Sequence, residues 1–230
     1  MQIFAHRGAS GNYPENTTSA ITAALQAQVD GIELDVQSCA DDFVIIHDSW
    51  LDRTTNGQGR VVDTPFSEIS KLDAGDGQQV LNLQQVLELI GTQTQINLEL
   101  KHTFGLDKLV STLEQNVAEG IIDREQLLIS SFDHHQLKWL KQNLPWVKIG
   151  ALTASIPLNY AYFAENLHAY SVHLDKNFIN HEFVADAKQR GLKVMTYTVD
   201  KQQEIEEMQN LGVDGIFSNY PCYAKMILSR

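Results

Sequence analysis

Eight short apolar runs recur along the 230-residue chain, and between them lie segments whose apolar residues repeat with helical spacing. The runs are IFA at 3–5, GIELDV at 31–36, INLELK at 96–101, LLISSF at 127–132, KIGALT at 148–153, YSVHLD at 170–175, LKVMTYTV at 192–199 and DGIFSN at 214–219. Their length and near-continuous apolar character suit strands covered on both faces. Leu83, Val86, Leu87 and Ile90 share one helical face, as do Leu106, Leu109, Val110, Leu113 and Val117. Other helices carry end signals: Asp133 is a candidate N-cap for a helix that stops before Pro145, Asp200 with Gln203 resembles a capping box, and Gly212 follows that helix. Such connections suit parallel strands.

Eight strands alternating with helices are the expected pattern of a (β/α)8 TIM-type barrel, which typically needs about 250 residues. A doubly wound open sheet is the alternative, but HRGASG after the first run has the spacing of neither a dinucleotide fingerprint nor a P-loop. No linker-like tract interrupts the chain, so one domain over 1–230 is expected. The stretch from Phe43 to about Leu81 departs from the rhythm. FVIIHD follows GIELDV after only a polar turn around Asp41 and Asp42, which predicts a hairpin extension and a small insertion between the second strand and its helix. A formal charge of −12 without a basic run argues against nucleic acid or an anionic lipid surface as partner. No apolar run is long enough to span a bilayer, so no stable membrane insertion is expected, and MQIFAHRG, with neither a charged n-region nor an apolar h-region, gives no expectation of a signal peptide. Cys39 and Cys222 have no metal-ligand spacing, and a cytoplasmic setting is the expectation.

In a barrel, chemistry collects where the strands end. Strand alternation places Glu33 and Asp35 on one face of GIELDV, and Glu99 and Lys101 on one face of INLELK. If those faces point inward, three carboxylates converge where an unpaired charge is costly. The group reads either as an ion-pair cluster or as a cation site. The second is preferred, because Lys101 alone neutralises one carboxylate. Oxygen-only ligands favour one divalent cation, Mg2+ or Ca2+, with Mn2+ also possible, over zinc. His6 ends the first run within AHRGASGNYPENT, and His47 lies in FVIIHDSWLDRTTNG on the connection leaving the second. By itself each reads equally well as a loop or strand-end histidine. At a shared barrel mouth they become candidate base and acid near neutral pH, while Arg7 and Lys101 offer fixed positive charge for phosphate oxygens. The inventory suits a metal-assisted phosphodiesterase.

The ordered set HRG with PENT, ELDV, HDSWLDRTTNGQG, NLELK, SSFD and GVDGIFSNYP, running from Ala5 to about Pro221, closely resembles the glycerophosphodiester phosphodiesterase family. The resemblance implies a TIM-type barrel that hydrolyses a small-molecule glycerophosphodiester to glycerol 3-phosphate and an alcohol. It matches His6 and His47 to the catalytic histidines, Glu33, Asp35 and Glu99 to the metal ligands, and Arg7 and Lys101 to the phosphate contacts. His6 is then the expected base and His47 the expected acid, with water or the glycerol 2-hydroxyl as nucleophile. Glu15 is expected to orient Arg7, and Asn16 to cap the first helix. The chain departs from the family pattern at Tyr197, where a Trp-bearing motif is frequent, and at Ser218 and Asn219, where Thr and Asp are common. These departures are expected to leave the catalytic constellation untouched. Tyr197 reads equally as a lining of the glycerol or leaving-group pocket and as a barrel-filling aromatic. His173 is ambiguous in the same way, whereas His102, His134, His135, His168 and His181 are read as structural. LDAGDGQQVLNLQQ is shorter than the usual family insertion, which implies an open substrate site.

Overall fold

In the computed structural model, which describes residues 1–229, the apolar runs form strands β1 (Gln2–His6), β2 (Gly31–Ser38), β4 (Gln95–Leu100), β5 (Leu127–Ser131), β6 (Lys148–Thr153), β7 (Ser171–Asp175), β8 (Lys193–Tyr197) and β9 (Gly215–Ser218), and FVI adds β3 (Phe43–Ile45). The helices are α1 (Thr18–Gln26), α2 (Phe66–Ile69), α3 (Leu83–Ile90), α4 (Leu106–Ala118), α5 (His134–Asn143), α6 (Tyr162–Asn166), α7 (His181–Gln189), α8 (Gln202–Leu211) and α9 (Pro221–Leu228). The eight longer runs pair in parallel around a closed ring, β1-β2-β4-β5-β6-β7-β8-β9 and back to β1. This is a TIM-type (β/α)8 barrel. The ninth strand, β3, is antiparallel to β2 and pairs with Val36, Gln37 and Ser38. It occupies the edge that β1 leaves free, since β1 pairs only with Gly31, Ile32 and Glu33. The hairpin extension expected after β2 is therefore present. Behind it, Val44, Ile46, Leu51, Val61, Ile69 and Val80 form a separate small apolar core.

Strand alternation divides each run between two environments. Ile3, Ala5, Ile32, Leu34, Ile96 and Leu98 join the main core with helix residues such as Ile21, Leu87, Leu109 and Leu137. The inward set starts with Phe4, Met195 and Phe217, which pack together. Space for them comes from strand positions without side chains. A Cβ at Gly31 would lie 2.3 Å from the Phe4 ring, and one at Gly150 would lie 2.4 Å from His173 Nε2. Beyond this plug the inward positions turn polar, and that polar end is the site.

Two capping expectations fail for one reason each. Thr17, not Asn16, caps α1, because Asn16 adopts a left-handed backbone (φ 62°) and its amide is committed to Asp35. Lys201 and Glu204, not Asp200 and Gln203, start α8, because the Asp200 carboxylate is turned toward Asn219. Asp133 caps α5 and Gly212 ends α8 as expected.

Candidate active site

Glu33, Asp35 and Glu99 converge at the C-terminal mouth of the barrel, where register sets Asp35 beside Glu99. All three are buried, and one oxygen from each lies within 4.8 Å of the others. Glu33 Oε1 and Asp35 Oδ1 receive no hydrogen bond, although Lys101 Nζ lies 3.2 Å from Asp35 Oδ1. Lys101 also pairs with Glu99. Arg7, held with φ 57°, gives its backbone N–H to Glu33 Oε2 at 2.9 Å and sets its Nε 3.1 Å from Asp35 Oδ2. Asn16 donates to the same oxygen at 2.9 Å. Burial drives the Glu33 carboxyl well above its ordinary range, helped by Asp35 and Glu99. Burial also raises Glu99, against the pull of Lys101. For Asp35 burial pushes the same way, but Lys101 and Arg7 outweigh it and hold the group low. Three carboxylates face two cations, and the uncompensated oxygens are all hard donors. That donor set fits a divalent cation with oxygen ligands.

The two histidines flank this cluster with opposite partners. His6 Nδ1 lies 2.7 Å from Asn219 Oδ1. The amide orientation follows from its other bond, since Asn219 Nδ2 donates to Asp200 Oδ2 at 2.7 Å and a carboxylate only accepts. His6 Nδ1 therefore carries the proton, and the Nε2 lone pair faces the cluster, 3.9 Å from Glu33 Oε2. Burial and the Arg7 charge lower the His6 pKa to about 4, so the ring is neutral. His47 Nδ1 instead lies 2.6 Å from the Asp48 carboxylate. Arg53 spans Asp48 and Glu15, and Glu15 in turn accepts from Arg7 Nη1 at 2.9 Å. The Arg53 hydrogen bonds hold Asp48 far below the usual carboxylate range, with burial opposing and His47 adding to the effect. The two rings thus differ in partner, a neutral amide behind His6 and a carboxylate behind His47.

The inner cavity, about 250 Å3, is lined by His6, Arg7, Glu33, His47, Glu99 and Lys101 together with Tyr197, Leu152, His173 and Phe217. All eight residues singled out from the sequence thus meet here, Asp35 lying just behind the lining through its contacts with Arg7 and Lys101. Tyr197 lines the cavity while its hydroxyl donates to the Thr153 carbonyl at 3.0 Å. His173 is fully buried, bonded through Nε2 to Ser171 at 2.8 Å, and burial lowers its pKa to about 3. His134 is occupied structurally, stacked on Phe163 and 2.9 Å from the Leu152 carbonyl. One expectation is corrected. Asn219, a departure from the family pattern, touches the catalytic constellation directly through His6, because β9 closes the ring next to β1. Arg53 and Asp48 went unassigned in the sequence, and Asp200 was read there only as a helix cap; the alternation of acid and arginine in HDSWLDR was the only local signal for the first two.

The model of the glycerophosphoryl diester phosphodiesterase family matches residues 6–222. A glycerophosphodiester phosphodiesterase of Caldanaerobacter subterraneus subsp. tengcongensis is 39% identical over 95% of this chain and 94% of its own length. One from Bacillus altitudinis is 32% identical over 96% of this chain and 95% of its own. A phosphodiesterase of Oleispira antarctica, solved in complex with the product sn-glycerol-3-phosphate, superposes with a TM-score of 0.92 at 30% identity, covering 100% of this chain and 97% of that one.

Proposed function

The chain belongs to the glycerophosphoryl diester phosphodiesterase family, and from that premise we propose that it hydrolyses glycerophosphodiesters to glycerol 3-phosphate and an alcohol, as one catalytic domain over 1–230. The product held by the Oleispira antarctica neighbour supports the substrate class. The observation that carries the mechanism is the carboxylate trio set between two histidines with unlike partners. Glu33, Asp35 and Glu99 would hold one divalent cation, Mg2+ or Ca2+, or Mn2+, which would supply positive charge to the phosphate and make the attacking hydroxyl more acidic. Arg7 and Lys101, already aligned on Asp35, turn their charge to the non-bridging phosphate oxygens as negative charge grows there. His6 Nε2 takes the proton of the attacking hydroxyl, which is water, giving glycerol 3-phosphate directly, or the glycerol 2-hydroxyl, giving a five-membered cyclic phosphate that a water molecule then opens to glycerol phosphate. His47 Nε2 gives a proton to the departing alkoxide as the P–O bond breaks. Asn219 and Asp200 keep His6 in the accepting tautomer, and Asp48 orients His47 by accepting from its Nδ1. Tyr197 lines the inner cavity and so borders the substrate, at its glycerol or its leaving group. No helix among the described residues is long and apolar enough to cross a membrane, and a cytoplasmic setting goes with this reading. The test is turnover of glycerophosphocholine, glycerophosphoethanolamine and glycerophosphoglycerol with each divalent ion after chelation. Release of glycerol 3-phosphate from at least one of them is expected. Turnover of none, with the cation restored and the fold intact, overturns the assignment.

A further inference from the structure

A second hollow, about 850 Å3, opens outward from the inner cavity and shares His47, Lys101 and Phe132 with it. It lies on the side of His47, the proposed acid, so it faces the oxygen that leaves. Its walls carry three aromatic side chains unusually open to solvent, Trp50, Phe104 and Phe132, at 54, 62 and 49% exposure. They come from three different connections, after β3, β4 and β5, and none belongs to an apolar core. Asp48 and Asp133 also line it, each already engaged, Asp48 with His47 and Arg53 and Asp133 with the backbone N–H groups of His135 and Gln136. Its one lysine, Lys101, sits at the inner end with its charge facing Asp35 and Glu99. Aromatic faces favour a positive guest of low hydration, and quaternary ammonium groups are bound in this manner.

We infer that this outer hollow is the leaving-alcohol subsite and that it selects a quaternary ammonium alcohol through Trp50, Phe104 and Phe132. The inference rests on the hydrolytic reading above, and it adds the head group. A neutral polar alcohol gains no cation–π attraction from the aromatic faces. The decisive comparison is glycerophosphocholine against its 3,3-dimethylbutyl isostere, in which carbon replaces the charged nitrogen at equal volume. Wild-type kcat/KM is expected to favour the charged substrate about tenfold. Trp50→Leu and Phe104→Leu keep apolar bulk but remove the π face at exposed positions, so each is expected to lower that ratio, and the double variant to bring it near one. Reading the ratio within each variant cancels any loss of folded enzyme. Choline titrated calorimetrically into the protein reads the same hollow without turnover, and binding is expected to weaken in Trp50→Leu. A wild-type ratio near one, or an unchanged ratio in the double variant, overturns the inference while the hydrolytic reading stands. Failure of every diester to turn over defeats the hydrolytic reading instead, and choline binding that is equal in wild type and Trp50→Leu then defeats this one.

Discussion

Replacing His47 by alanine should separate the acid from the base, because the two rings differ in what stands behind them. The Asp48 carboxylate, 2.6 Å from His47 Nδ1, accepts from that nitrogen and leaves Nε2 for the leaving oxygen. The Asn219 amide, 2.7 Å from His6 Nδ1, is itself oriented by Asp200 and leaves a neutral ring that accepts at Nε2. Positioned proton transfer contributes about 10²–10⁴ in rate, or roughly 3–5 kcal/mol of barrier. An alkoxide needs that proton, whereas a nitrophenolate leaves without it. On glycerophosphocholine, His47→Ala and His6→Ala should each lose about 10²–10⁴ in kcat. On a glycerophospho-nitrophenyl ester, His47→Ala should recover most of the loss, and His6→Ala should stay slow because the nucleophile still lacks its base. Asp48→Asn should behave as a partial His47 variant, slow on the natural diester and mended on the activated one. Steady-state kinetics on the two substrates, with bound metal measured in each variant, provides the assay. Rescue of His6→Ala in place of His47→Ala would exchange the roles and refute the reasoning from their partners. Near wild-type rates for both variants on the natural diester would remove both histidines from the chemistry.

Asn219→Asp sets a carboxylate against His6 Nδ1 and should raise the His6 pKa from about 4; the base is then protonated up to higher pH, and the acid limb of kcat/KM should move upward. An unmoved limb would detach Asn219 from the base. His173 is buried neutral, with its pKa lowered to about 3 from an unfolded value near 6.5, so the unfolded chain binds more protons between those values and stability falls as pH drops through that window. The loss at pH 5 should be about 2 kcal/mol from this residue. Urea unfolding at pH 7 and pH 5 should show a shallower loss in His173→Asn, and an equal loss would refute the assignment. Glu99→Gln removes one of three anionic ligands and should weaken divalent-ion binding at least tenfold by calorimetry, with the thermal transition without metal no lower than wild type, since a buried carboxylate with a raised pKa is replaced by a neutral amide. Unaltered ion affinity would remove Glu99 from the ligand set.

Much of this was legible because period-two alternation is unambiguous in a strand covered on both faces. Once Leu34 and Leu98 turn outward, Glu33, Asp35 and Glu99 have only the barrel interior to enter. The ordering of strands by sequence then brings His6 and the hairpin residue His47 to the same mouth. The sequence was silent where a side chain has two competing partners. Asn16 and Asp200 both have the local pattern of a helix start, yet each is bonded to the neighbouring strand's end, to Asp35 and to Asn219 respectively. Contacts separated by 19 residues in both cases leave no periodic trace. Asn219 was hidden for a topological reason: it stands 213 positions from His6 and meets it only because the ring closes. Arg53 was hidden because the insertion that carries it follows no repeating pattern and folds over a separate small core.

The central claim is that a divalent cation held by Glu33, Asp35 and Glu99 is required for hydrolysis. The measurement that tests it most directly pairs metal analysis with turnover of a natural glycerophosphodiester, first after exhaustive chelation and then through a titration with Mg2+, Ca2+ or Mn2+. Activity is expected to vanish with the metal and to return in proportion to one ion per chain, and the same titration of a Glu33→Gln, Asp35→Asn, Glu99→Gln triple variant is expected to restore nothing. Full turnover by protein whose metal content is zero, or restoration of the triple variant by the same ion at the same concentration, would contradict it.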